Sequence, residues 1–209
     1  MGLDLAAFEQ GVQEYWAEMA RRAPHIQARE HAFSRLALRY ASRTPPHFTR
    51  DDLKQIMEWK HTDIRWFNRA MDGINEASDE KIARLTSGIA FDVKGAVQPF
   101  IRAFYGVGVA SVSAIFTAAR PDLYAVIDVF VLIAIDHYYT FPWIDRMQRN
   151  KKGQLDPAYS DYPSYVDFCR IRARELAKAS GREWTPRQVE MALWAVGKKL
   201  SDGNQASCH

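Results

Sequence analysis

The chain is poor in cysteine and has no long apolar run. Its two cysteines, Cys169 and Cys208, cannot form a disulfide framework or supply the four ligands of an iron–sulfur cluster or an all-cysteine zinc site. The longest apolar run, Val129–Ile135, is far too short to span a bilayer. The start of the sequence carries acidic Asp4 and Glu9 and lacks the basic residues that open a secretory signal. We therefore expect a cytoplasmic protein with free thiols and no membrane association.

Strand signals are also nearly absent, whereas apolar residues follow helical spacing along most of the chain. Helix starts are predicted at Thr49, at Ser78 and at the capping-box sequence Thr185–Gln188, which has proline at the first helical position. The polar segment 146–164 is typical of an exposed loop, and 203–209 is typical of a frayed tail. The sequence therefore predicts an all-α fold.

Charge and composition set only loose limits on function. The formal net charge is +3, and aromatic residues make up 12% of the chain. A weakly basic, aromatic-rich chain permits a nucleic-acid partner but does not require one, because binding depends on a local patch. The six histidines form no HxH or HExxH pattern, so we expect no metal site.

The most informative segment is Phe104–Ser111, which reads Phe-Tyr-Gly-Val-Gly-Val-Ala-Ser. An amphipathic helix is predicted before it, over about Val93–Phe104, and a second apolar helix after it. Gly106 and Gly108 allow a tight turn between these helices and leave bare amide groups at the start of the second one. Such amides at a helix N-terminus suit a backbone phosphate, although glycines also simply end helices.

The sequence that follows makes a family resemblance specific. Phe104–Ser111 resembles the hairpin of the helix–hairpin–helix superfamily of DNA glycosylases, to which endonuclease III and the adenine glycosylase MutY belong. In that family an extended apolar strip ends in an invariant aspartate, and here Tyr124–Val129 contains Asp128, eighteen positions after Ala110. Weaker similarity to a less characterised branch extends from about Leu53 to Lys198.

The resemblance implies a single all-α glycosylase unit over residues 1–209, arranged as a two-lobed helical bundle with a helix–hairpin–helix element. The hairpin lobe would cover 50–137, and 1–48 together with 138–200 would form the second lobe, followed by a tail at 201–209. The family binds double-stranded DNA, and we expect this chain to do so as a monomer.

The resemblance also assigns roles to individual residues. Gly106, Gly108, Ala110 and Ser111 would hold a DNA phosphate through their amides, with the Ser111 hydroxyl as an extra donor. Hairpin carbonyls could hold a monovalent cation, as in some relatives. Asp128 would stabilise the positive charge that develops on deoxyribose and orient or deprotonate water, so that the bond between a flipped base and its sugar is hydrolysed.

Three departures from the family pattern limit what the resemblance implies. Bifunctional members carry a nucleophilic lysine where this chain has Ala110, so we expect a monofunctional enzyme without lyase activity. The clustered cysteines of endonuclease III are missing, so no iron–sulfur cluster and no other cofactor is expected. Many members place His and Arg shortly after the aspartate, whereas this chain has Val129–Leu132, which leaves the substrate base open.

Simpler interpretations exist for each candidate residue. Asp128 could serve only as the N-cap of the helix that follows it. Trp59, Lys60 and Tyr138 could form a pocket wall or a wedge that fills the hole left by the flipped base, or they could be core aromatics and a solvated cation. The hairpin could be an ordinary helix turn.

Three functions remain open from the sequence. The first is a monofunctional glycosylase that removes damaged or modified bases. The second is a glycosylase that acts on modified bases of foreign, phage DNA. The third is a catalytically inactive helix–hairpin–helix module that only binds DNA.

Overall fold

The computed structural model describes residues 2–89, 93–151 and 153–206, with the side chains of 93–96 and 204–206 left aside. Over these residues the chain is mostly helical, with one two-stranded antiparallel sheet, which confirms the all-α prediction. The elements in chain order are α1 (Leu5–Arg21), α2 (Pro24–Ala41), α3 (Arg50–Lys60), α4 (Ile64–Asn75), α5 (Asp79–Ser87), α6 (Val93–Ala103), α7 (Val109–Ala119), α8 (Val129–Tyr138), α9 (Pro142–Asp145), β1 (Gln148–Arg149), β2 (Leu155–Asp156), α10 (Tyr162–Ser180) and α11 (Pro186–Ala206).

The predicted helix starts are confirmed by their hydrogen bonds. Thr49 caps α3 in a reciprocal capping box with Asp52, and the Ser78 hydroxyl accepts from the backbone of the first turn of α5. At α11, the Gln188 amide donates to Thr185 Oγ1 over 3.2 Å, and the Thr185 amide donates to Gln188 Oε1 over 2.8 Å. Each side chain satisfies an amide that has no partner within its helix.

Two segments differ from the prediction. The expected loop at 146–164 contains the β1–β2 hairpin, and its last residues already belong to α10, in which Tyr162 is fully buried. The Tyr-Pro pair suggested a turn, but proline is also favoured in the first turn of a helix, where its missing N–H costs nothing. The expected frayed tail is helical as far as Ala206, and 207–209 lie outside the described residues.

The long helix α11 packs against α1, α8 and α10, whereas α3 packs against α2, α4 and α7, and α7 packs also against α2 and α6. Buried apolar side chains from both groups of helices belong to one continuous cluster, so the two predicted lobes stay a prediction. No helix among the described residues combines the length and the apolar character needed to cross a membrane.

Candidate active site

A buried irregular strip, Tyr124–Ile127, leads directly to Asp128. Two tyrosines of α10 hold it: the Tyr162 hydroxyl donates to the Ala125 carbonyl over 3.0 Å, and the Tyr165 hydroxyl donates to the Val126 carbonyl over 2.8 Å. A buried carbonyl outside a helix or sheet needs such a partner. The strip is therefore fixed by side chains instead of a neighbouring strand.

The end of the strip is anchored to α7, and Asp128 begins α8. The Ile127 amide donates to Ser113 Oγ over 3.0 Å. Asp128 has extended backbone angles, and its Oδ1 accepts from the Phe130 amide over 3.1 Å. The N-cap interpretation of Asp128 is therefore confirmed, but this bond uses only part of the capacity of a carboxylate, whose two oxygens accept about four hydrogen bonds.

The second oxygen of Asp128 faces the amine of Lys60, the last residue of α3. Lys60 Nζ lies 2.9 Å from Asp128 Oδ2 and also donates to the Ile127 carbonyl over 3.4 Å. The Lys60 side chain is 8% exposed and that of Asp128 is 27% exposed. Lys60 is therefore a nearly buried partner of the candidate catalytic carboxylate and not a solvated surface cation.

This pairing determines the charge on Asp128. Burial acts to raise the pKa of the carboxyl, but the charge and hydrogen bond of Lys60, together with the Phe130 amide, outweigh it. The net effect holds the pKa of Asp128 below its ordinary value. The carboxylate is consequently ionised at neutral pH, as a group that stabilises positive charge or activates water must be.

A cavity of about 230 Å³ opens beside the Lys60–Asp128 pair, among α1, α2, α3, α8 and α11. Trp59 forms part of its wall, since its ring stacks on Phe33 with centroids 3.8 Å apart and its Nε1 donates to Glu30 Oε2 over 2.6 Å. Trp59 is thus fixed within the protein as a pocket wall and does not project as a wedge. The other aromatic residues that line the cavity are Tyr15, Phe130 and Trp194.

Side chains of a buried ionic network, which the sequence interpretation missed, form part of the wall of this cavity. Arg187 donates to Glu30 Oε1 over 3.0 Å and to the Tyr15 hydroxyl over 2.9 Å, and it forms a short ion pair with Glu190. Burial raises the pKa of Glu190 to about 7, although the charge of Arg187 acts in the opposite direction. The available sequence signal was the spacing of Arg187 and Glu190 by three positions on one helix face; Tyr15 and Glu30 lie too far away in sequence to be linked with them.

The turn between α6 and α7 requires glycine at position 106, whereas Gly108 has an extended backbone with φ −93° that other residues also adopt. Gly106 has φ +79°, and a Cβ there would overlap the Arg69 carbonyl oxygen of α4. Gly73 of α4 also lies against the turn, because a Cβ on it would overlap the Tyr105 backbone. At Gly108, the N-cap of α7, a Cβ would meet no atom within 4 Å, and no side chain caps the first amides. The start of α7 therefore leaves room for an external acceptor.

Ser111 is placed differently from its expected role. The residue is buried, and its Oγ lies 2.9 Å from Nε2 of His61, the residue after Lys60. Burial and the Lys60 charge lower the pKa of His61 to about 4, so the ring is neutral at neutral pH. The Ser111 hydroxyl therefore links the turn to α3, and only its amide stays a candidate for phosphate. Ala110 is half-buried on the same first turn.

A larger groove of about 910 Å³ runs along this turn, between residues 105–111 and the β1–β2 hairpin. Lys60, Asp128 and Val129 line this groove and also line the smaller aromatic cavity. The carboxylate and its amine therefore lie where the two spaces meet.

The structure does not bring Tyr138 to this place. Tyr138 is the last residue of α8, which Asp128 begins, so at 1.5 Å per residue it lies roughly 15 Å along the helix axis. It lines neither the aromatic cavity nor the groove, and its ring packs against His137 with centroids 4.6 Å apart.

Comparison with known proteins found no matching family model, no matching curated protein and no matching solved structure. Within the described residues, no group of three or more His, Cys, Asp or Glu side chains is arranged to hold a metal ion.

Proposed function

We propose that this protein is a DNA glycosylase that hydrolyses the bond between a flipped, damaged or modified base and its deoxyribose. In this proposal α6, the Gly106–Gly108 turn and α7 form a helix–hairpin–helix element of a two-lobed unit. The base enters the aromatic cavity, the DNA backbone follows the larger groove, and Asp128 acts on the sugar between them.

The observation that carries the proposal is the position of Asp128 at the junction of the two spaces. A nucleotide turned out of a duplex has the base on one side of its sugar and the phosphates on the other. The cavity of about 230 Å³ is smaller than the roughly 300–1,000 Å³ of pockets for drug-sized ligands, so it suits a single base. Its aromatic walls match the flat faces of a base.

The chemistry of the carboxylate is consistent with this placement. Breaking a glycosidic bond develops positive charge on the sugar, and an ionised carboxylate stabilises that charge or takes a proton from water. Lys60 and the Phe130 amide keep Asp128 ionised and fix its orientation. Lone pairs that these two donors do not use remain available to water or to the sugar.

The start of α7 supplies a place for a phosphate. The uncapped amides after Gly108 and the positive end of the helix dipole favour an anion there, and the space around Gly108 is open. Contacts of this kind position a duplex without reading its sequence. Hairpin carbonyls that hold a monovalent cation remain part of the proposal.

The test is incubation with a panel of duplex oligonucleotides that carry damaged and hypermodified bases, followed by hot alkali, which breaks strands at abasic sites. We expect strand breaks after the alkali step with at least one base and none with Asp128→Asn. Asparagine is also a good N-cap, so this variant removes the charge and keeps the cap. Its affinity for duplex DNA should stay within about twofold, since Asp128 is not a phosphate contact.

Asp63→Asn is the matched control, because Asp63 caps α4 as Asp128 caps α8 and lines neither space. It should release bases at the wild-type rate. Full activity in Asp128→Asn would show that the carboxylate is only a cap. Binding to duplex DNA without base release across the panel would favour the inactive DNA-binding module.

A further inference from the structure

The sequence interpretation left the candidate site without a nucleophilic amine, but the amine of Lys60 lies beside Asp128. The alanine at position 110 means that the hairpin has no amine, which gave the expectation of a monofunctional enzyme. Lys60 comes from a different helix, α3, and its Nζ lies 2.9 Å from Asp128 Oδ2. Any sugar close enough for Asp128 to act on its C1′ is therefore also close to this amine.

Lys60 is suited to meet a substrate as well as to hold Asp128. Its two hydrogen bonds, to Asp128 and to the Ile127 carbonyl, leave one of the three ammonium donors unused. It lines both the aromatic cavity and the larger groove, and no other lysine of the described chain lines either space. Asp128 Oδ2, 2.9 Å from this amine, is within reach to act as the general base that takes a proton from it as the amine adds to a sugar carbon.

We infer that Lys60 forms an imine with the abasic sugar that Asp128 generates, and so gives this protein a second, strand-cleaving lyase activity. The inference rests on the proposed glycosylase function, but it concerns a different reaction on a different compound. Its substrate is the ring-opened deoxyribose of an abasic site, which carries an aldehyde at C1′. The identity of the released base does not matter for it.

The steps balance without any additional reagent. Lys60 passes a proton to Asp128, and the free amine adds to C1′. The C1′ hydroxyl then takes that proton and leaves as water, which gives a positively charged imine and an ionised Asp128. The carboxylate removes a proton from C2′, the C3′–O bond breaks, and the 3′ phosphate departs with the downstream strand and takes that proton from Asp128. Water hydrolyses the imine and returns the amine.

The test uses a duplex that contains one preformed abasic site, so that lyase chemistry is measured independently of base removal. Borohydride reduces an imine to a stable protein–DNA adduct, which is counted on a denaturing gel and located by peptide mass spectrometry. We expect an adduct with the wild-type protein, mapped to Lys60, and strand cleavage without alkali. Lys60→Arg keeps the positive charge but has no amine that condenses with an aldehyde, so its adduct should fall at least roughly tenfold.

Lys54→Ala is the matched control, because Lys54 is an exposed lysine on the same helix and lines neither space. It should form as much adduct as the wild type. No adduct with the wild type, equal adduct with Lys60→Arg, or an adduct mapped to another amine would each overturn the inference. If circular dichroism shows that Lys60→Arg does not fold, the residue at which the wild-type adduct is located still tests the inference.

The two proposals fail in distinguishable ways. Base release that leaves the strand intact until alkali is added, with no trapped adduct, would keep the glycosylase and remove the lyase. Trapping at Lys60 on the preformed abasic site, with no base released across the panel, would keep the lyase and remove the glycosylase.

Discussion

Replacing Tyr165 with phenylalanine tests how the strip that leads to Asp128 is held. The Tyr165 side chain is fully buried, and its hydroxyl donates to the Val126 carbonyl over 2.8 Å. Phenylalanine keeps the ring and removes the donor, so a buried carbonyl loses its partner. Such a loss costs about 1–3 kcal/mol. For a chain of this size, each 1 kcal/mol shifts Tm by about 2–4 °C, so we expect Tm to fall by about 2–12 °C.

The assay is thermal unfolding followed by circular dichroism or calorimetry, with Tyr159→Phe as the control. Tyr159 precedes the same helix and is 47% exposed, so the loss of its hydroxyl should leave Tm within about 1 °C. Because Val126 lies two positions before Asp128, the Tyr165 variant should also form less abasic-site adduct at a temperature where it is fully folded. A Tm equal to that of the wild type would refute the reasoning, since the carbonyl would then have another partner.

Two further predictions concern the turn and its neighbour on α3. Gly108→Asp should leave Tm unchanged or slightly raised, because aspartate is a favoured N-cap of a helix such as α7. Its charge should nevertheless repel phosphate and weaken the binding of duplex DNA. Gly108→Asn provides the same cap without the charge and should bind duplex DNA more tightly than the aspartate variant. Equal affinity of the two variants, measured by fluorescence anisotropy, would remove this helix start from the DNA surface. The pKa of His61 is lowered to about 4 in the folded protein, whereas it is about 6.5 in the unfolded chain. Between these two pH values the unfolded state binds a proton that the folded state does not. Tm should therefore fall as the pH drops from about 6.5 towards 4. His61→Gln should make this part of the fall disappear in melting curves, and an unchanged pH profile would contradict the assignment.

Local sequence signals predicted the helix starts because the groups that decide them are close in sequence. Thr49 and Thr185 each cap a helix with a partner three positions later, and Asp128 caps α8 through an amide two positions later. The same locality explains the error at Tyr162, whose tyrosine–proline pair fits a turn and a helix start equally well. Only the contact of Tyr162 with the strip at Ala125 distinguishes the helix start from a turn.

The rest of the candidate site depends on contacts between distant parts of the chain. Lys60 and Asp128 are 68 positions apart, and Arg187 and Glu30 are 157 apart. Nothing in the local pattern of either segment indicates its partner, because the approach is set by how α3 and α11 pack on the common core. The sequence therefore indicated the carboxylate, whereas the amine beside it and the network behind the cavity became visible only in three dimensions.

The Lys60–Asp128 pair also bears on the choice between an enzyme and an inactive DNA-binding module. Bringing the charges of a lysine side chain that is 8% exposed and of a carboxylate out of water costs several kcal/mol, and well-packed apolar residues often serve stability as well or better. A module that only grips phosphate through the start of α7 needs neither group, and it needs no aromatic cavity beside them. A glycosylase uses the carboxylate, and a lyase uses the amine. The cost of burying the pair is therefore easier to understand if both groups act on a sugar placed between the cavity and the groove.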